Sequence, residues 1–104
     1  MFGLKKQHID AINECFAQFP EIDQVIIYGS RAKGNFKSGS DIDLTITGDL
    51  DYRSLMKLEN RLDDLMLPYK IDLSLRQKIS NPDLSGHIER VGKVFYEKKG
   101  SGGE

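Results

Sequence analysis

The sequence predicts an α/β (α+β) domain, a small mixed sheet with helices packed mainly on one face, and three features carry that expectation. Short runs rich in β-branched and aromatic residues or in strict alternation recur at Val25–Tyr28, Ser40–Thr47 and Tyr69–Leu75. The segments before and between them place apolar residues at three- and four-residue steps, the period of an amphipathic helix. With 104 residues there is room for one core, because a domain of this size buries only roughly 60–70% of its unfolded surface.

The first helix is expected over Lys5 to Phe19, where Ile9, Ile12, Phe16 and Phe19 form one stripe and Pro20 ends it; proline lacks the N–H that would continue the ladder. Cys15 borders that stripe and reads as a small buried hydrophobe. Val25 to Tyr28 stops at Gly29 and suits a buried strand better than a helix of useful length. Gly29 to Gly39 holds three glycines and three basic residues, a loop with at most one helical turn through Arg31 and Ala32. Ser40 to Thr47 alternates polar and apolar without a break, as a strand with one buried face does. Gly48 closes it, and Asp49 or Asp51 can cap a helix bearing Leu55, Leu58, Leu62 and Leu65, stopped by Pro68. Tyr69 to Leu75 alternates again, with Lys70, Asp72 and Ser74 on the polar side. After a polar link from Gln77 to Pro82, Leu84, Ile88 and Val91 predict a short helix and Val94 to Tyr96 a last edge strand. Residues 1–97 are expected to form the domain and 98–104, charged and glycine-rich, a flexible tail.

The net charge of −1 comes from 15 basic and 16 acidic residues spread along the chain, with no basic block suited to a nucleic-acid backbone. Direct nucleic-acid binding is not expected. The single cysteine cannot form an internal disulfide, no apolar run approaches the roughly 20 residues of a membrane span, and Met1 to His8 lacks the apolar stretch of a secretory signal. The expected setting is the cytoplasm, without a membrane partner.

Asp41 and Asp43 lie two positions apart in the second strand, so both carboxylates project from one face while Ile42, Leu44 and Ile46 point to the core. Aspartate is depleted in strands and two on one face repel each other. Hard divalent cations offset that repulsion, because Mg²⁺ takes one or two carboxylates together with substrate phosphates. Asp72 offers a third carboxylate from the third strand, and if the two strands are neighbours all three acids converge. Paired metals held there would clamp the attacking and leaving oxygens of a displacement at phosphorus. A triphosphate also needs a cradle. Gly29 and Ser30, where the first strand ends, supply close backbone approach, a hydroxyl and free N–H groups. Arg31, Lys33 and Lys37 are nearby charge partners, balanced between phosphate contact and a solvated loop. A Walker-type loop is excluded, since Asn35 and Phe36 stand where Lys and Ser/Thr are required.

Gly29-Ser30, ten residues, then Asp41-Ile42-Asp43 resembles the signature of the DNA polymerase β-like nucleotidyltransferase superfamily. The fuller run GSRAKGNFKSGSDIDL, with the third acid in Tyr-Lys-Ile-Asp-Leu, looks like its minimal branch, the MntA-like proteins encoded beside HEPN-domain partners. The resemblance implies a nucleotidyltransferase fold and catalysis by Asp41, Asp43 and Asp72, which also bind metal, Mg²⁺ or alternatively Mn²⁺. It implies nucleotide binding by Gly29 and Ser30, with Arg31 and Ser40 as further candidates, and ATP or another nucleoside triphosphate as substrate. It further implies an antitoxin that transfers AMP to a hydroxyl of a HEPN-type ribonuclease toxin.

Two other functions compete with that expectation. One is a binding module that neutralises its partner by occupancy and retains a vestigial nucleotide site; the other is nucleotidyl transfer to a small molecule, although no extra helical domain is present to bind one. Tyr28 reads as core, and His8 and His87 read as helix-surface or cap residues with no metal-ligand partner at useful spacing.

Overall fold

The structure is a computed structural model and describes residues 1–37 and 39–98. In chain order it contains α1 (Lys6–Ala17), β1 (Ile22–Tyr28), α2 (Gly29–Lys33), β2 (Ile42–Gly48), α3 (Tyr52–Asp64), β3 (Ile71–Leu75), a 3-10 turn (Arg76–Lys78), α4 (Pro82–Val91) and β4 (Lys93–Glu97). The four strands form one mixed sheet in the order β3-β2-β1-β4. β1 runs antiparallel to both β2 and β4, whereas β2 and β3 are parallel. A parallel neighbour cannot be reached by a hairpin, and α3 provides the crossover between them.

The two faces of the sheet differ in chemistry. Val25 opposes Ile46 and Ile27 opposes Leu44; these side chains are buried with Ile12 and Phe16 of α1 and with Leu55, Leu58 and Leu62 of α3 in the main core. On the other face Tyr28 opposes Asp43 and Ile26 opposes Thr45, and β3 adds Asp72 beside Asp43 and Ser74 beside Thr45. α4 is the helix that meets this second face, where His87 stands edge-on to Tyr28. Close approach is possible there because Gly92 has no side chain: a Cβ would strike the Ile88 carbonyl and crowd Ile26.

Several boundaries depart from the sequence expectation for identifiable reasons. β1 begins at Ile22 rather than Val25, and the polar pair Asp23-Gln24 hides this because the register with β2 shifts between Ile22 and Gln24. β2 begins at Ile42, whose N–H donates to the Lys70 carbonyl at 2.8 Å. Ser40 instead closes a turn through its N–H to the Lys37 carbonyl, 3.0 Å, so Asp41 stands just ahead of the strand. Asp51, not Asp49, caps α3 by accepting from the Ser54 N–H at 2.9 Å. That helix ends at Asp64, ahead of Pro68, and Met66 turns the chain with a left-handed φ of 55°. Lys98 is tied back to the sheet, its N–H donating to the Asp23 carbonyl and its Nζ to the Pro20 carbonyl. The rest of the expected tail, 99–104, lies outside the described residues.

Candidate active site

Asp43 sits on an interior strand with Tyr28 opposite it on one side and Asp72 on the other. Neighbouring strands lie roughly 4.7–4.9 Å apart, so Asp43 and Asp72, in register on one face, present neighbouring carboxyl groups. Asp41 lies two residues earlier on the same polar side. Burial pushes the Asp43 carboxyl above the usual aspartate range, and the charges of Asp72 and Asp41 push it the same way. A half-buried carboxyl whose ionisation two neighbouring acids oppose marks a spot suited to positive charge.

Among the described residues no three His, Cys, Asp or Glu side chains are already closed into a metal cage. Mg²⁺ does not require such a cage, because it is held by one or two carboxylates and completes its shell with phosphate and water. The oxygen-only donor set of Asp41, Asp43 and Asp72 suits a hard divalent ion.

Gly29 is fitted to Asp43. Its φ is +76°, and a Cβ built on it would collide with Asp43 Oδ2; only glycine allows both the left-handed backbone and the carboxylate at that distance. Ser30 follows in the first turn of α2. The structure thus brings Gly29, Ser30, Asp41, Asp43 and Asp72 to one end of the polar face.

The remaining sequence candidates include two side chains engaged within the protein, Arg31 and Ser40. Arg31 is only 3% exposed, neither solvated nor extended into the loop surface. Its Nε and Nη2 donate to the Ser40 carbonyl at 3.1 and 2.8 Å, and its Nη1 donates to the Phe2 carbonyl at 3.0 Å. The guanidinium lies over Phe36 and Tyr69, about 5 Å from each ring centre. Ser40 Oγ accepts the Lys37 N–H at 2.8 Å. Arg31 and Ser40 therefore lock the loop that delivers Asp41, while Lys33 and Lys37 are exposed.

Sequence reasoning missed His87. Its Nε2 accepts the Gly29 N–H at 3.2 Å across 58 residues of chain, and its ring meets Tyr28 with centroids 6.2 Å apart. No local pattern announces such a contact; a histidine on a short helix after the last acid was the only trace. A cleft of about 650 Å³ between α3 and β3, lined by Leu62, Leu67, Tyr69 and Ile71, contains none of the site residues.

The family model "Polymerase beta, Nucleotidyltransferase" matches residues 10–101. The chain belongs to this family. It is similar to the Haemophilus influenzae "Probable protein adenylyltransferase MntA", 29% identical over 98 residues, 92% of this chain and 85% of that one. A Methanocaldococcus jannaschii protein whose name assigns it to the same protein adenylyltransferase class is 37% identical over 71 residues, 66% of this chain and 71% of that one. Among solved structures, a toxin-antitoxin complex with AMP-PNP matches with TM-score 0.67 and 20% identity, over 92% of this chain and 76% of the other. A complex of tri-AMPylated Shewanella oneidensis HEPN toxin with MNT antitoxin matches with TM-score 0.65 and 17% identity, over 91% and 74%. At these identities the structural matches establish the fold, a nucleotidyltransferase fold. Among the described residues no helix is long and apolar enough to cross a membrane.

Proposed function

We propose that this nucleotidyltransferase transfers AMP from ATP to a hydroxyl group of a partner protein, a HEPN-type toxin, and so acts as an antitoxin in the cytoplasm. The observation that carries the reading is the register of Asp43 with Asp72 in adjacent strands, beside a Gly29 that leaves room for the Asp43 carboxylate and no more. The relatives named for protein adenylylation and the complex with an AMPylated HEPN toxin support AMP as the group and a protein as the acceptor.

Asp41 and Asp43, with Asp72, would hold Mg²⁺ or Mn²⁺, which supplies positive charge to the triphosphate and to the pyrophosphate as it leaves. Gly29, whose lack of a side chain lets the triphosphate approach the backbone, and Ser30, through its N–H and hydroxyl, bind triphosphate oxygens. The acceptor hydroxyl oxygen forms a bond to the α-phosphorus, the bond from that phosphorus to the bridging oxygen breaks, and pyrophosphate departs. Asp72, on the outer strand beside Asp43, receives the hydroxyl proton. The acids occupy an exposed end of the sheet rather than a closed cavity, an arrangement open to a macromolecular acceptor. Residues 1–97 are the proposed functional unit.

Intact mass spectrometry tests the proposal directly. The full chain is incubated with Mg²⁺, ATP and a purified HEPN-domain toxin. A mass gain of one or more AMP units on the toxin, absent with Asp43→Asn, is expected. A stable complex without mass gain would replace transfer by inhibition through occupancy.

A further inference from the structure

We propose that His87 is a positioning residue of this site: by accepting the Gly29 N–H at Nε2, it fixes the Gly-Ser turn against Asp43 and so sets the geometry in which nucleotide is bound. The inference deepens the proposed function and rests on it for the nucleotide, although the hydrogen bond stands independently.

The Gly29 N–H is a donor that its own helix leaves without an acceptor. Gly29 opens α2, and the first N–H groups of a helix have no intrahelical acceptor. Tyr28, in the N-cap position, offers no side-chain bond. The acceptor comes instead from α4, through His87 Nε2 at 3.2 Å. A ring nitrogen accepts only with its lone pair free, so the neutral imidazole carries its proton on Nδ1.

His87 is well anchored for such a task. Its ring is set at 80° to Tyr28, the residue before Gly29. α4 is capped by Asn81, whose Oδ1 accepts from the Asp83 and Leu84 N–H groups at 2.8 and 3.2 Å. Arg76, directly after β3, donates to Ser85 Oγ at 2.8 Å. At its far end Gly92 brings the chain close to Ile26 of β1. α4 is thereby tied to two of the strands that frame the acids, and His87 carries its position to the turn.

Gly29 passes that position on. With φ at +76° and no room for a Cβ beside Asp43 Oδ2, rotation of the Gly29 peptide would change the packing between the turn and the carboxylate. The path runs from His87 to Gly29 and from there both to Asp43 and to Ser30. A leucine at position 87 fills similar space but cannot accept. Glutamine places a carbonyl oxygen near the position of Nε2 and can.

The test compares the full-length wild type with His87→Leu, His87→Gln and Asp43→Asn, each confirmed folded by thermal melting. Binding of AMP-PNP in Mg²⁺ is measured by calorimetry, and Gly29 and Ser30 amide resonances are followed in ¹⁵N-labelled protein. His87→Leu is expected to weaken AMP-PNP binding roughly tenfold, the effect of one lost hydrogen bond, and to move both amide resonances. His87→Gln is expected to stay within about twofold of wild type. Equal binding by wild type and His87→Leu, or equal weakening by Leu and Gln, overturns the inference. If the wild type binds no AMP-PNP and Asp43→Asn changes nothing, the nucleotide reading fails. The resonances then decide the hydrogen bond alone: unmoved Gly29 and Ser30 amides in His87→Leu refute it.

Discussion

The two faces of the central sheet are built from the same strands and obey opposite rules. On one, Val25, Ile27, Leu44 and Ile46 are buried against α1 and α3, and each side chain gains by its neighbours. On the other, Asp43 is flanked by Asp72 and answered across the sheet by Tyr28, and the acids gain nothing from one another. The lesson of the contrast is that the first face supplies the stability that lets the second keep an unfavourable arrangement, one that the cations and phosphates of the proposed function would make favourable.

Substitution on the apolar face has the largest effect. Leu44→Ala removes a fully buried side chain and is expected to cost about 2–5 kcal/mol, a large share of the roughly 5–15 kcal/mol available to a domain. Urea unfolding measures it, and a loss below 1 kcal/mol would mean that the two faces are less distinct than described.

Arg31→Met probes the loop between them. It keeps an apolar stem between Phe36 and Tyr69 but leaves the Ser40 and Phe2 carbonyls without their donor, a loss of about 1–3 kcal/mol. Hydrogen exchange should speed up in the loop from Gly34 to Asp41. Unchanged exchange would show that the loop is held by something else.

Gly29→Ala attacks the polar face through its backbone. A left-handed φ costs a residue with a Cβ roughly 1–2 kcal/mol, and the added atom also displaces Asp43 Oδ2. Nucleotide binding should fall far more than stability does, as calorimetry with AMP-PNP and a thermal melt would show together.

Asp43→Asn should do the reverse of the core substitution. Like charges side by side on neighbouring strands are destabilising, so the metal-free protein should melt higher than wild type while AMP transfer is lost. A lower melting temperature would show that the carboxylate, not its relief, supports the fold.

The smallest effect is in pH. Because the Asp43 carboxyl in the folded state titrates above its ordinary 3.8, the folded protein binds that proton more tightly than the unfolded chain. Its contribution to stability therefore rises as pH falls through the raised folded value and levels off below the unfolded one. Asp51, held below the ordinary range by the Ser54 N–H, works oppositely, losing its contribution as pH falls. The difference in melting temperature between wild type and Asp43→Asn should consequently narrow toward low pH, and a constant difference would remove Asp43 from the account.

Most of the fold could be read in the sequence because alternation and helical stripes record burial locally. Asp41, Asp43 and Asp72 were legible for the same reason: polar residues in an otherwise regular strand are conspicuous. Arg31 was not, since a guanidinium in a glycine-rich segment reads as solvated, and its burial depends on Phe2, Ser40 and Tyr69 arriving from distant parts of the chain. His87 was not either, because its partner is an N–H, which no side chain at Gly29 advertises. Ile22 escaped as part of β1 since the irregular pairing beside it breaks the alternation on which the reading relied.

The sheet order places Asp43 inside and Asp72 at the margin. β2 is bonded on both flanks, whereas β3 is bonded to β2 alone. An edge strand is expected to open more readily than a strand bonded on both sides, so amide exchange in β3 should outpace that in β2. Of the three acids, the one assigned to the incoming hydroxyl rides on the more compliant support. On the proposed function, the nucleotide end would rest on the strand bonded on both flanks, and room for differently shaped acceptors would lie with the five residues at the rim.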